Sequence, residues 1–223
     1  MKRVYVPDVS VHVIHRGNNR MAIFGDDEDR EVFLAALRWA AMRNGVWVHA
    51  LVLMTTHVHL IVTPQTEKAL PRTMKRLDER YVRHFNRKNG RTGTLWNGRH
   101  RALLITDEEY WLRCLRYVEQ NPVRARMVAR PEAYRWSTYG VHGLGESPGW
   151  LMVHPVYLAL GSSPIERQTA YRGLCGEMLT EAELVSIRYA DHVASAQISS
   201  RSFCAQSDVP EPESTVTTSP STP

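Results

Sequence analysis

The stretch Leu51-Val52-Leu53-Met54-Thr55-Thr56-His57-Val58-His59-Leu60-Ile61-Val62-Thr63-Pro64 decides how the chain is read. Val, Ile, Leu and Thr dominate it, which suits a pleated, largely buried strand. Side chains two apart on a strand share a face. His57 and His59 therefore project side by side, while Val58, Leu60 and Val62 turn the other way into a core. Two neutral imidazoles held in parallel on a stiff strand form a ready pair of ligands for a divalent ion. The plainer alternative is two strand histidines with ordinary hydrogen-bond partners.

Upstream, Val46 to Met54 forms a strand, and Thr55-Thr56 turns it into the histidine strand as an antiparallel hairpin. Before it, Asp26 to Asn44 reads as a helix, with acids at its start, an apolar stripe (Val32, Phe33, Ala36, Leu37, Ala40) and Gly45 as its stop. Val4 to Arg16 is a first strand with Val11, Val13 and His15 on one face and His12, Ile14 and Arg16 on the other. It runs into Arg16-Gly17-Asn18-Asn19-Arg20, a turn bracketed by arginines that suits phosphates or simply water.

Downstream, a helix spans about Ala69 to Lys88. Leu70, Met74, Leu77, Tyr81 and Phe85 should face the sheet. Arg72, Lys75, Arg76, Arg80, Arg83, Arg87 and Lys88 fill the remainder, opposed by Asp78 and Glu79. Such a face is either solvated or in contact with phosphate. A basic loop, Asn89 to Asn97, contains Trp96, and Gly98 to Ile105 returns as a strand bearing Arg99, His100 and Arg101. Aromatics interleaved with arginines suit single-stranded nucleic acid; the alternative is a core tryptophan beside surface arginines. Thr106-Asp107-Glu108-Glu109 reads as a capping box opening a third helix, whose buried face is Trp111, Leu112, Leu115 and Val118. Tyr117 and Asn121, four apart, stack on a different face, ahead of a short basic segment with Arg124.

The texture changes near Gly140, where Gly143, Gly145, Pro148 and Gly149 mark a linker. The expected organisation is a domain over 1–140, a small helical appendage over 141–194 and a disordered tail over 195–223. The 223 residues carry a net charge of +5, and Ala205 to Pro223 hold Asp208, Glu211 and Glu213 without Lys or Arg, so the rest is more basic than the whole. An anionic partner is implied, with nucleic acid first. Cys114, Cys175 and Cys204 are widely spaced and form no C-x-x-C, which argues against a disulfide framework or a cysteine zinc knuckle. Met1-Lys2-Arg3-Val4 lacks the apolar run of a signal peptide, no stretch is long enough to span a membrane, and the cytoplasm is the expected compartment.

The motifs together carry a resemblance. His57-Val58-His59 on a strand matches the HUH pattern, and Tyr117 lies downstream in Arg116-Tyr117-Val118-Glu119-Gln120-Asn121-Pro122-Val123-Arg124-Ala125. With His15-Arg16-Gly17-Asn18-Asn19-Arg20, and with Tyr-Arg-Trp-Ser in 131–139, the chain resembles the REP-associated tyrosine transposases, relatives of the single-tyrosine insertion-sequence transposases. The resemblance covers roughly Val4 to Tyr139. One departure is visible: Thr55-Thr56 stands where the family commonly has Pro-Asn, which alters the hairpin turn.

The resemblance implies an α+β, ferredoxin-like (RRM-like) fold, an antiparallel sheet with helices packed on one face. It implies Mg²⁺ or Mn²⁺ held by His57 and His59, with Asn121 as third ligand. Tyr117 would be the nucleophile, giving a 5′-phosphotyrosine and a free 3′-hydroxyl on single-stranded DNA that folds into a hairpin. Arg16, Asn18, Arg20, Lys75, Arg76, Arg83, Arg87, Arg99, Arg101 and Arg124 are the expected DNA contacts. A monomer at the nucleoid is the expected working form. Two other readings compete: a non-catalytic DNA- or RNA-hairpin binder on the same fold, and a different metalloenzyme built on H-x-H, which would need further ligands around His49.

Overall fold

The computed structural model describes residues 5–187. Its centre is a four-stranded antiparallel sheet: β1 (Val11–Arg16), β2 (Val46–Leu53), β3 (His57–Pro64) and β4 (Arg101–Leu104), in the order β2-β3-β1-β4. The β2–β3 hairpin forms as the sequence requires, closed by the Met54 N–H donating to the His57 carbonyl at 2.9 Å. A bulge between Val48 and Ala50 leaves His49 out of the ladder and reverses which face the following residues of β2 occupy. The last strand, expected over Gly98 to Ile105, is confined to Arg101–Leu104. Gly17 instead bridges Trp96, so the chain before Arg101 is tied to the end of β1.

Two helices cover one face. α1 (Asp27–Asn44) is capped by Asp26, whose carboxylate accepts from the Asp29 N–H, and it ends at Gly45 in the left-handed region, as its sequence signals dictate. α2 (Ala69–Lys88) lies beside it. Their apolar stripes, including Phe33, Leu37, Met74, Leu77 and Tyr81, meet Val11, Val13, Val58, Leu60 and Val62 in a first core.

The expectation of helices on one face is met by α1 and α2, but the other face is covered as well. α3 (Glu108–Glu119) places Trp111, Leu115 and Val118 over Ala50, Val52 and Ile61. Those strand residues are apolar on the histidine side too, and apolar surface on both sides of a sheet demands two covers. The α3 cap is Asp107, accepting from the Tyr110 N–H at 2.7 Å, so the expected capping box starting at Thr106 does not form.

After α3 the chain turns through α4 (Asn121–Arg124). α5 (Tyr139–Leu144) occupies part of the expected linker, followed by α6 (Pro155–Leu158), α7 (Pro164–Gly176) and helical residues 181–187. Tyr139, Val156, Tyr157, Tyr171 and Ile187 share the second core with α3. The expected tail over 195–223 lies outside the described residues.

Candidate active site

Strand pairing assembles the site. On β1–β3, Arg16 stands opposite His57, Ile14 opposite His59 and His12 opposite Ile61. Directly opposed residues share a face, so His12, Ile14 and Arg16 join His57 and His59 on the side covered by α3. His12 is the residue that sequence reading missed. Its Nε2 lies 2.9 Å from His59 Nδ1, and it is fully buried. On the other flank, Thr56 Oγ1 lies 3.1 Å from His57 Nδ1. The Thr-Thr departure in the hairpin turn thus supplies a partner that orients the first histidine.

Both Nδ1 atoms are engaged, which leaves the two Nε2 atoms as ligand positions. Burial holds His12 and His57 at about 4 and His59 well below its ordinary value; nearby cations, Arg16 and Arg124, reinforce this for His57 and His59. All three rings are therefore neutral at pH 7. A ligand lone pair on His59 Nε2 requires its proton on Nδ1, donated to His12 Nε2. His12 must then carry its own proton on Nδ1, a buried atom without a hydrogen-bond partner.

Tyr117 comes from the last turn of α3. It is buried, contrary to a free helix face, but its ring lies edge-on to His59 at 5.6 Å and to His12 at 5.9 Å between centroids. The Arg124 guanidinium sits over the same ring, 4.0 Å from its centroid. Asn121 begins α4. Its Nδ2 donates to the Tyr117 carbonyl at 3.2 Å, and its Oδ1 accepts from Arg124 at 2.9 Å. Among the described residues no group of three or more His, Cys, Asp or Glu could hold a metal ion. The donors the site offers are two imidazoles and, if it turns from Arg124, the Asn121 amide oxygen.

Arg16, Arg99 and Arg101 converge on a cleft with Ile14 and Asn97. One row across the sheet reads Val52, His59, Ile14, Arg101, so this basic cleft adjoins the histidines. Asn18 and Arg20 lie in a 3-10 turn after β1. Gly17, at its head, is obligatory, because a Cβ there would meet the Met21 carbonyl and Ile23 at 2.6 Å each. Thr55 and Thr56 carbonyls accept from Ile23 and Gly17 N–H groups at 2.9 and 2.8 Å, locking this turn to the histidine hairpin.

Four of the expected DNA contacts are not brought here. Lys75, Arg76, Arg83 and Arg87 belong to α2, across the sheet from Tyr117. Arg76 lies over the half-exposed Trp39 ring at 5.7 Å, and Lys75 pairs with Glu79 at 3.7 Å. His49, the pivot of the alternative metalloenzyme reading, is a satisfied structural histidine bonded to the Met152 carbonyl at 2.6 Å and to Thr63 Oγ1 at 2.8 Å.

Comparison with known proteins places this geometry. Residues 5–121 match the family model described as "Transposase IS200 like". No curated protein matches the chain. Among solved structures, a REP-associated tyrosine transposase bound to a REP hairpin is similar at 16% identity and a TM-score of 0.55, over 70% of this chain and 88% of that one. A protein described as a transposase from Deinococcus radiodurans R1 is 24% identical over 49% of this chain and 88% of that one, with a TM-score of 0.38. The tRNA(His) guanylyltransferase of Saccharomyces cerevisiae shares 12% identity over 79% and 82%, also at 0.38.

Proposed function

The chain belongs to the IS200-like transposase family, and from that premise we propose that it cuts and rejoins hairpin-forming single-stranded DNA through a covalent 5′-phosphotyrosine at Tyr117, with a divalent cation. The observation that carries this reading is the Tyr117 ring packed against His59 at 5.6 Å beneath the Arg124 guanidinium. A core tyrosine needs neither a paired imidazole face nor a cation over its ring.

In this reading His57 and His59 hold the cation through Nε2, and Asn121 Oδ1 adds a third donor. Two nitrogen donors suit Mn²⁺ better than Mg²⁺, which favours oxygen. The cation, when bound, supplies Lewis-acid polarisation of the scissile phosphate. His12 and Thr56 orient the two imidazoles. Arg16, Arg99 and Arg101 hold strand phosphates beside the site. The Tyr117 oxygen attacks phosphorus; the bond to the 3′ oxygen breaks, and that oxygen leaves as a hydroxyl after taking a proton. Arg124 sets positive charge where the phenol loses its own proton. The phosphodiester energy is kept in the tyrosyl ester, so rejoining is the same step reversed. The hairpin substrate rests on the motif resemblance to the REP-associated enzymes. A monomer, and a cytoplasmic protein at the nucleoid where such DNA lies, complete the proposal. Among the described residues no helix is long and apolar enough to cross a membrane.

One observation favours a second reading. Both ends of the Asn121 amide are committed within the chain, an arrangement that serves a hairpin-binding protein without cleavage. The deciding assay incubates labelled hairpin DNA from the gene's flanks with Mn²⁺, with and without chelator, using the wild type and Tyr117→Phe. A denaturation-resistant adduct that needs both metal and Tyr117 is the expected result. Salt-sensitive retention without any adduct would favour the binding protein.

A further inference from the structure

A cavity of about 640 Å³ lies away from the histidine site. It opens beyond β4, the edge strand, between the first turns of α2 and the residues leading into β4. Tyr5, Arg72, Met74, Asp78, Arg99 and His100 are among the residues that line it. Arg99 also lines the basic cleft beside the histidines. The cleft and the cavity therefore share Arg99, and a strand held in one has a route to the other.

We propose that this cavity receives an unpaired base of the single-stranded DNA flanking the hairpin. The inference rests on the DNA reading above. The size is right for a small-molecule site, typically 300–1,000 Å³. The lining mixes the cations Lys68, Arg72, Lys75 and Arg99 with the acids Glu67, Asp78 and Glu79 around flat and apolar groups. It suits a heterocycle: Tyr5 and His100 are buried flat groups, linked by a 3.0 Å hydrogen bond from Tyr5 Oη to His100 Nε2. Base stacking on such rings is sequence-tolerant, and a polar group at the end of the slot fixes orientation.

Asp78 is that polar group, and it is held from behind. His15, only 2% exposed and stacked on Trp96 at 3.9 Å, places Nδ1 3.4 Å from Asp78 Oδ1. Asp78 Oδ1 has no hydrogen-bond partner among the described residues. Burial, with Glu79 nearby, raises the Asp78 carboxyl to about 8, while burial lowers His15 to about 4. At neutral pH both are uncharged. A protonated carboxyl offers a donor beside an acceptor, which complements the ring-nitrogen and amino pair of adenine or cytosine.

The test uses the full chain and fluorescence anisotropy. Three labelled DNAs are titrated: a blunt hairpin, the same hairpin with an eight-nucleotide random extension, and an unstructured eight-nucleotide random oligomer. The extension should tighten wild-type binding about tenfold, equivalent to about 1.4 kcal/mol, within the range for one stacked base. Asp78→Leu and His100→Ala should abolish that gain and leave blunt-hairpin affinity unchanged. Asp78→Asn keeps a donor and an acceptor and should retain it. A gain that survives Asp78→Leu and His100→Ala overturns the proposal, as does a wild type that binds neither extension nor oligomer. If the hairpin itself fails to bind but the oligomer binds in an Asp78-dependent way, the hairpin reading falls and the base cavity stands.

Discussion

Glu119→Gln is the substitution whose outcome tests most of this structure at once. Glu119 is completely buried two residues after Tyr117. Its Oε1 accepts from Thr138 Oγ1 at 2.6 Å and from His142 Nδ1 at 2.7 Å, and its Oε2 accepts from the Tyr171 hydroxyl at 2.6 Å. Burial, reinforced by Glu119, pushes the Tyr171 phenol well above its ordinary range, so it stays a donor. On either side, Arg116 donates to the Glu177 carbonyl and Gln120 to the Cys175 carbonyl, each at 2.8 Å. The last turn of the tyrosine helix is thus gripped at three points by residues after 137. Glutamine keeps the shape and the Oε1 acceptor but replaces charge-assisted bonds with neutral ones and turns an amino group toward Tyr171. A hydrogen bond to a charged group contributes ~1.5–3 kcal/mol, so losing charge across three bonds should cost about 2–4 kcal/mol. That is a large part of the ~5–15 kcal/mol a domain possesses. Urea unfolding measures it directly, and hydrogen exchange over 114–121 should accelerate by a similar free energy. A change below about 1 kcal/mol, with exchange at 114–121 untouched, would refute the claim that this carboxylate holds the tyrosine turn.

His12→Ala should weaken Mn²⁺ binding about 10–100-fold while the protein stays folded, the usual penalty for removing the partner of a ligand histidine; titration calorimetry reads it. Asp78→Asn should stabilise the protein increasingly as pH rises from about 4 to 8 and then level off. Across that window the carboxyl ionises in the unfolded chain but stays protonated in the folded one, so wild-type stability falls as pH rises; paired thermal melts check the sign. The buried His12, His15 and His49 and the half-buried His57 and His154, all held at about 4 by desolvation, work the other way. The unfolded chain binds more protons between about 4 and 6.5, so their contribution falls as pH drops through that range, by up to ~1.4 kcal/mol per unit for each histidine; urea melts at pH 5 and pH 7 measure the difference. Single Arg16→Ala, Arg99→Ala and Arg101→Ala variants should each lower the salt slope of DNA binding by roughly 0.7–0.9, and an unchanged slope would remove that residue from the interface.

Local signals were legible wherever a cause acts within one element. Asp26 and Gly45 bound α1, and the alternation through His57 and His59 fixed the hairpin and the face of the pair. Readings failed where the cause lies across the sheet. His12 supports His59 from 47 residues away, and no periodicity links them until β1 is known to pair with β3. The α2 cations were recognised as one polar face, but periodicity does not say which side of the sheet a helix takes. Tyr117 looked like a residue off the buried face because only one cover for α3 was imagined. The helix has two, the sheet and the residues after 137, so little of its circumference is left to water.

The strand order also sets a timetable for the newly made chain. β1 leaves the ribosome first but lies inside the sheet, with β3 on one side and β4 on the other. Until β3 has been synthesised it has no ladder to join, and its other edge stays open until β4, whereas the β2–β3 hairpin needs only neighbours in sequence. Tyr117 cannot lie over His59 until α3 follows, and its turn is not gripped until residues as far as Glu177 exist. The pocket that joins Tyr117 to the histidines is therefore completed last, after nearly all of the described chain is made.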